Sequence, residues 1–143
     1  MAAVPSRIGI ELSDGTIKSV YHHSAGYPRI LGRNLNYHYS TEDEVNSLID
    51  GGDMHNCWSQ LRWSLQGYVH LHTPAPDYYS YRGSDLPPKI HQNTDEFLNY
   101  CVEENMEYAY IFSSEWKCYK IRFEDSPTFI SKDNYMDDPN VPN

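Results

Sequence analysis

The stretch that decides the fold is RIGIELSDGTIKSVYH, residues 7–22. Ile8, Ile10 and Leu12 alternate with Arg7, Gly9 and Glu11, the period-two signature of a strand with one buried face. Asp14-Gly15 follows, and Asp-Gly is the strongest short hairpin signal because glycine enters the positive-φ region without a Cβ penalty. Ile17–His22 then returns. The pattern predicts an antiparallel hairpin of Arg7–Leu12 with Ile17–His22.

Working outward, Gly26-Tyr27-Pro28 breaks the second strand, and Pro28 suits the first turn of a helix, where its missing N–H is not needed. Ile30, Leu31, Leu35 and Tyr39 continue near helical spacing. Thr41 with Glu44 forms a capping box, and Glu42, Asp43 and Glu44 complement the positive end of the helix dipole. Val45, Leu48 and Ile49 share one helical stripe before Gly51-Gly52 ends it. Asn93-Thr94 opens a third helix with Phe97, Leu98, Cys101 and Val102 on one side. Glu107–Phe112 and Trp116–Phe123 read as a second hairpin around Ser113-Ser114-Glu115. Two hairpins separated by helices predict an α+β domain: an antiparallel sheet of four to five strands with two to three helices packed on one face. The expected core includes Ile8, Ile10, Leu35, Val45, Leu48, Ile49, Phe97 and Ile111.

The segment 54–90 is the least regular. Trp58 and Leu61, with Trp63 or Leu65, suggest a short helix, and Tyr68–His72 a short strand. Thr73-Pro-Ala-Pro76 and Leu86-Pro87-Pro88 read as loop, with Tyr78–Arg82 extended between them. A long central loop of this kind often carries function. The expected domain covers residues 1–123, followed by an acidic Pro/Asp/Asn-rich tail, 124–143.

The chain of 143 residues carries a net charge of −9, of which −5 lies in residues 1–123 and −4 in the tail. An acidic body is repelled by phosphate backbones, so nucleic acid is not an expected partner. No apolar run is long enough for a membrane span, and no apolar signal core opens the chain. Cys57, Cys101 and Cys118 are odd in number and lack CxxC pairing, which predicts reduced, buried thiols in a cytoplasmic compartment.

The seven histidines suggest a metal only on paper. His70 and His72 share a strand face, and His22-His23 closes a strand, where Asp53 or His55 would complete a ligand set if the exit of the second helix folded back. No HExxH, HxHxDH or paired CxxC is present, so no metal or other cofactor is expected. No GxSxG elbow or glycine-rich phosphate loop is present either. The constellation of interest is Tyr21, His22, Tyr27 and His38 around the Gly-Tyr-Pro corner, a set of aromatic faces and polar tips that suits a pocket. Tyr78, Tyr79 and Tyr81 in the central loop are the expected exposed anchors for a partner.

Tyr21 and His22 or His23, Gly26-Tyr27-Pro28, Gly32, Leu35, His38-Tyr39, Val45, Leu48-Ile49 and Gly52-Asp53 form a pattern. It resembles a family of small bacteriophage and mobile-element proteins of unassigned function. That family commonly has Trp-Asp ahead of Gly-Tyr-Pro, where this chain has Ser24-Ala25. The resemblance implies life in the cytoplasm of an infected host and no particular reaction. Together with the acidity and the absence of a catalytic motif, it leads to the expectation of a non-enzymatic accessory protein. Such a protein would bind a host protein as an inhibitor or counter-defence factor. The alternative is a small-ligand protein, either a nucleotide-sequestering module or a metal-dependent hydrolase, using the Tyr/His corner.

Overall fold

The computed structural model describes residues 4–64 and 67–121, and of 60–64, 67–74 and 82 the backbone alone. The expected acidic tail lies outside the described residues. The strands are β1 (Ser6–Glu11), β2 (Ile17–His22), β3 (Met54–Ser64), β4 (Gly67–Tyr78), β5 (Lys89–His91), β6 (Tyr108–Ser113) and β7 (Glu115–Lys120). The helices are α1 (Arg33–His38), which continues a π-helical turn at Pro28–Gly32, α2 (Glu42–Asp50) and α3 (Thr94–Glu103).

The first hairpin forms as its sequence predicts. Arg7 pairs with Tyr21 and Ile8 with Val20, antiparallel, and Gly15 takes φ +86° in the turn. Thr41 caps α2 reciprocally with Glu44, and the Asn93 side chain accepts from the Glu96 N–H to start α3. The second hairpin also forms, with Tyr110 opposite Cys118.

Three features of the fold differ from expectation. The sheet is mixed and seven-stranded, in the order β4-β3-β2-β1-β6-β7, with β5 also paired to β2. β1 runs parallel to β6, and β2 meets β3 in a parallel bridge at His22–Met54. Its helices also cover both faces. Leu35, Val45, Leu48 and Ile49 from α1 and α2 pack with Ile8, Ile10, Val20, Tyr110 and Phe112. Phe97, Leu98, Cys101 and Val102 from α3 pack with Ile17, Ala109 and Ile111 on the other side. The face of β1 that looks solvated in sequence is covered as well: Arg7 is buried, and a Cβ on Gly9 would stand 2.8 Å from Ile17 and 3.4 Å from Phe97. Gly9 is the low point on which α3 rests.

The third difference is the central segment. Residues 54–64 and 67–78 are neither helix nor loop but two long antiparallel strands, β3 with β4, whose register shifts three times. Trp58 and Leu61 are strand residues, and Thr73–Pro76 belongs to β4. Tyr79–Arg82 is a 3₁₀ turn. Among the described residues, no helix is long and apolar enough to cross a membrane.

Every residue of the expected core is buried. Leu48→Ala or Ile49→Ala is expected to cost about 2–5 kcal/mol in denaturant melts, the loss for a fully buried aliphatic side chain. Gly9→Ala is expected to cost about 1–3 kcal/mol through overpacking against Ile17 and Phe97.

Candidate functional site

The Gly-Tyr-Pro corner is built for geometry. A Cβ on Gly26 would stand 2.4 Å from the Val4 carbonyl, so the chain passes there only as glycine. The Gly26 carbonyl accepts from the buried Tyr110 hydroxyl at 2.7 Å. Tyr27 is extended, as a residue before proline prefers, and its carbonyl accepts the N–H groups of Ile30, Leu31 and Gly32. Its ring lies under the Arg29 guanidinium at 5.1 Å.

The corner does not gather the four residues expected there into one pocket. Tyr21 and His22 are neighbours in a strand and point to opposite faces. Tyr21 packs against the α3 layer, and its hydroxyl meets His23 Nδ1 at 2.8 Å. His22 is 1% exposed, in the other layer. Its Nε2 accepts from the Cys57 N–H at 3.1 Å, which places the ring proton on Nδ1, where it has no partner among the described residues. Burial pushes the His22 pKa down to about 3, with His55 and His23 adding to the effect. His22 is thus a neutral core residue that ties β2 to β3.

The exit of α2 does fold back to this edge, but in a structural role. Asp53 accepts the Tyr21 N–H on its side chain at 2.8 Å, its carbonyl accepts from Tyr79 N–H, and its own N–H donates to Leu86. The His23 and His55 rings lie 5.3 Å apart. Among the described residues, no group of three or more His, Cys, Asp or Glu is placed to hold a metal; the side chains of His70 and His72 lie outside them. The three thiols are free and buried. Burial pushes each up to about 12, so none is an activated nucleophile.

Of the central tyrosines, Tyr78 is buried and cannot serve as an exposed anchor. Its hydroxyl donates to the Leu48 carbonyl at 2.5 Å. Tyr81 meets the Tyr78 ring edge-on at 5.5 Å and packs on the core. Tyr79 is half-buried, edge-on to His55. These rings fasten the turn after β4 to the sheet.

Two expected site residues, His38 and Tyr78, do come together elsewhere. They line an open groove of about 460 Å³ between the α1–α2 layer and β4, with Tyr39, Ser47, Leu48 and Pro76. Asp43 and Glu44 form its acidic side. At its mouth His38 stacks on Trp58, with ring centroids 3.7 Å apart and planes 11° from parallel. Tyr37, 82% exposed, meets His38 edge-on at 4.8 Å. Below them Tyr39 donates to the Cys57 carbonyl and accepts from Trp116 Nε1, which fixes the groove floor to β3 and β7. The sequence pattern missed Tyr37 and Trp58. Tyr37 is adjacent to His38 and was available as a signal, whereas Trp58 is legible only once residues 54–64 are read as a strand.

His22 gives a pH test. Its folded pKa lies below the ordinary 6.5, and burial with Arg7 and Lys89 nearby lowers His91 to about 4. Below pH 6.5 the unfolded chain takes up protons that the folded chain refuses, so stability is full above that value and is lost as pH falls toward about 4. Melting temperature is expected to decline across this window. His22→Asn is expected to flatten the slope, and NMR is expected to show the His22 ring neutral throughout it. Among known proteins, no family model, no curated sequence and no solved structure matches this chain.

Proposed function

We propose that this chain is a non-enzymatic binding protein whose groove between α1–α2 and the β3–β4 hairpin receives a basic, apolar-anchored segment of another protein. The observation that carries this reading is the Tyr37–His38–Trp58 ring stack at the mouth of an acidic-sided groove. Stacked rings offer large contact area at low conformational cost and accept the face of an arginine or lysine. Exposed Glu42 and Asp43 add negative charge in the first turn of α2. The chain's −9 charge would steer a basic segment toward it. The family resemblance supplies the source of that segment: a host protein, with inhibition or counter-defence as the outcome.

The Tyr/His corner pocket of the alternative reading has no support in the geometry, since Tyr21 and His22 face opposite layers. Of Lys18, Arg29 and Arg33, which a polyanionic ligand would need there, Lys18 is engaged with Asp50 and Arg29 with the Tyr27 ring.

Selection from an mRNA-displayed random peptide library is expected to enrich sequences joining Lys or Arg to an aromatic or branched aliphatic residue. Their binding should weaken with salt. Tyr37→Ala with His38→Ala is expected to weaken the selected peptides by at least about tenfold, as loss of interface anchors does, at an unchanged melting temperature. A library that yields no enriched peptide, or peptides bound equally well by the double variant, would reject the groove.

A further inference from the structure

On the opposite face of the sheet, Arg7 is only 4% exposed. Its side chain crosses β2, where Nε donates to the Ser19 hydroxyl at 3.0 Å and a terminal nitrogen, Nη2, donates to the Ser19 carbonyl at 3.1 Å. Nη1 has no hydrogen-bond partner among the described residues, and no carboxylate there lies within ion-pair distance of the guanidinium. A buried charge without a counter-charge is costly. The face of the Tyr100 ring attracts the guanidinium, and a second cation shares that ring. The guanidinium lies 5.1 Å from the centre of the Tyr100 ring, and the exposed Lys89 ammonium lies 5.9 Å from the same ring.

His91 stands beside both cations, in ring contact with Tyr100 and Phe97. Its Nε2 lies 2.8 Å from the Ser19 hydroxyl. That hydroxyl accepts from Arg7 Nε, so Ser19 links the guanidinium to the imidazole. The nearby acid is Glu96, whose carboxylate is turned onto the Gln92 N–H at 3.2 Å. Two cations therefore lie near one ring that His91 also contacts, and neither is ion-paired among the described residues.

We infer that Arg7, Lys89 and His91 form an oxyanion site on the α3 face, and that its ligand is the phosphate group of a small molecule. Phosphate fits better than carboxylate because two cations with no ion pair among the described residues call for a group that carries about −1.5 to −2 near neutral pH. The site is separate from the acidic groove and does not depend on it. Arg7 supplies the buried charge, Lys89 closes from the surface, and Ser19 holds the guanidinium and imidazole in place.

The test is calorimetric titration of the full chain with inorganic phosphate, at constant ionic strength set with chloride. Saturable binding is expected, with acetate much weaker, and the His91 pKa read by NMR should rise when phosphate is present. Lys89→Ala removes an exposed side chain and is expected to weaken phosphate binding by about tenfold, the effect of losing one hydrogen bond to a charged group. Arg7→Met is expected to abolish it; should that variant fail to fold, Lys89→Ala and the His91 titration still decide. No saturable phosphate binding, equal binding by Lys89→Ala, equal binding of acetate, or a His91 pKa indifferent to phosphate would each overturn the assignment.

Discussion

The structure depends on β1 being covered on both faces and paired on both edges. Ile8 and Ile10 seat the α1–α2 layer, while Gly9 provides the clearance in which Phe97 of α3 lies. β2 closes one edge antiparallel and β6 the other edge parallel. Six residues therefore link two hydrophobic layers and two halves of a sheet. The polar side of β1 holds a glycine, whose value is its lack of a side chain, and an arginine that finds its hydrogen bonds on the neighbouring strand.

What was legible in the sequence is what local rules encode. The Asp14-Gly15 turn, the Thr41–Glu44 box and the stripes of α2 and α3 depend on residues within four positions of one another, and each forms as read. The β3–β4 hairpin was not legible for a physical reason. Register shifts between Met54 and Asn56, Asn56 and Ser59, and Ser59 and Leu61 break the two-residue alternation that marks a strand. Pro74 and Pro76 also read as loop until they are seen within β4. The second helical layer was hidden because glycine and arginine count as polar, yet Gly9 and Arg7 lie beneath α3. Parallel pairing of β1 with β6 leaves no local signature at all.

The candidate site follows the same division. Residue types were read correctly as aromatic and histidine-rich, but their assembly depends on strand direction. Alternation separates Tyr21 from His22, and the unexpected hairpin brings Trp58 to His38. The two faces that result carry different side-chain clusters. The α2 side presents Glu42 and Asp43 beside stacked rings, and the α3 side holds Arg7 and Lys89 around Tyr100. A chain that is acidic overall thus holds two cations around one ring, with the Glu96 carboxylate of the same layer turned onto the Gln92 N–H.

The parallel neighbour of β1 also sets when the protein becomes a protein. Ser6 faces Tyr108 across the sheet, so the first strand made waits for one of the last. At a synthesis rate of about 5–20 residues per second, roughly 100 residues take some 5–20 s, during which one edge of β1 and the floor for α3 stay open. The nascent first hairpin, with one edge of β1 unpaired, is for that interval a surface for chaperones or for misplaced strands. Loop-closure entropy across so long a span further delays the closing step. The open edge of β1 is therefore the surface that must be sheltered while the strands after it are made.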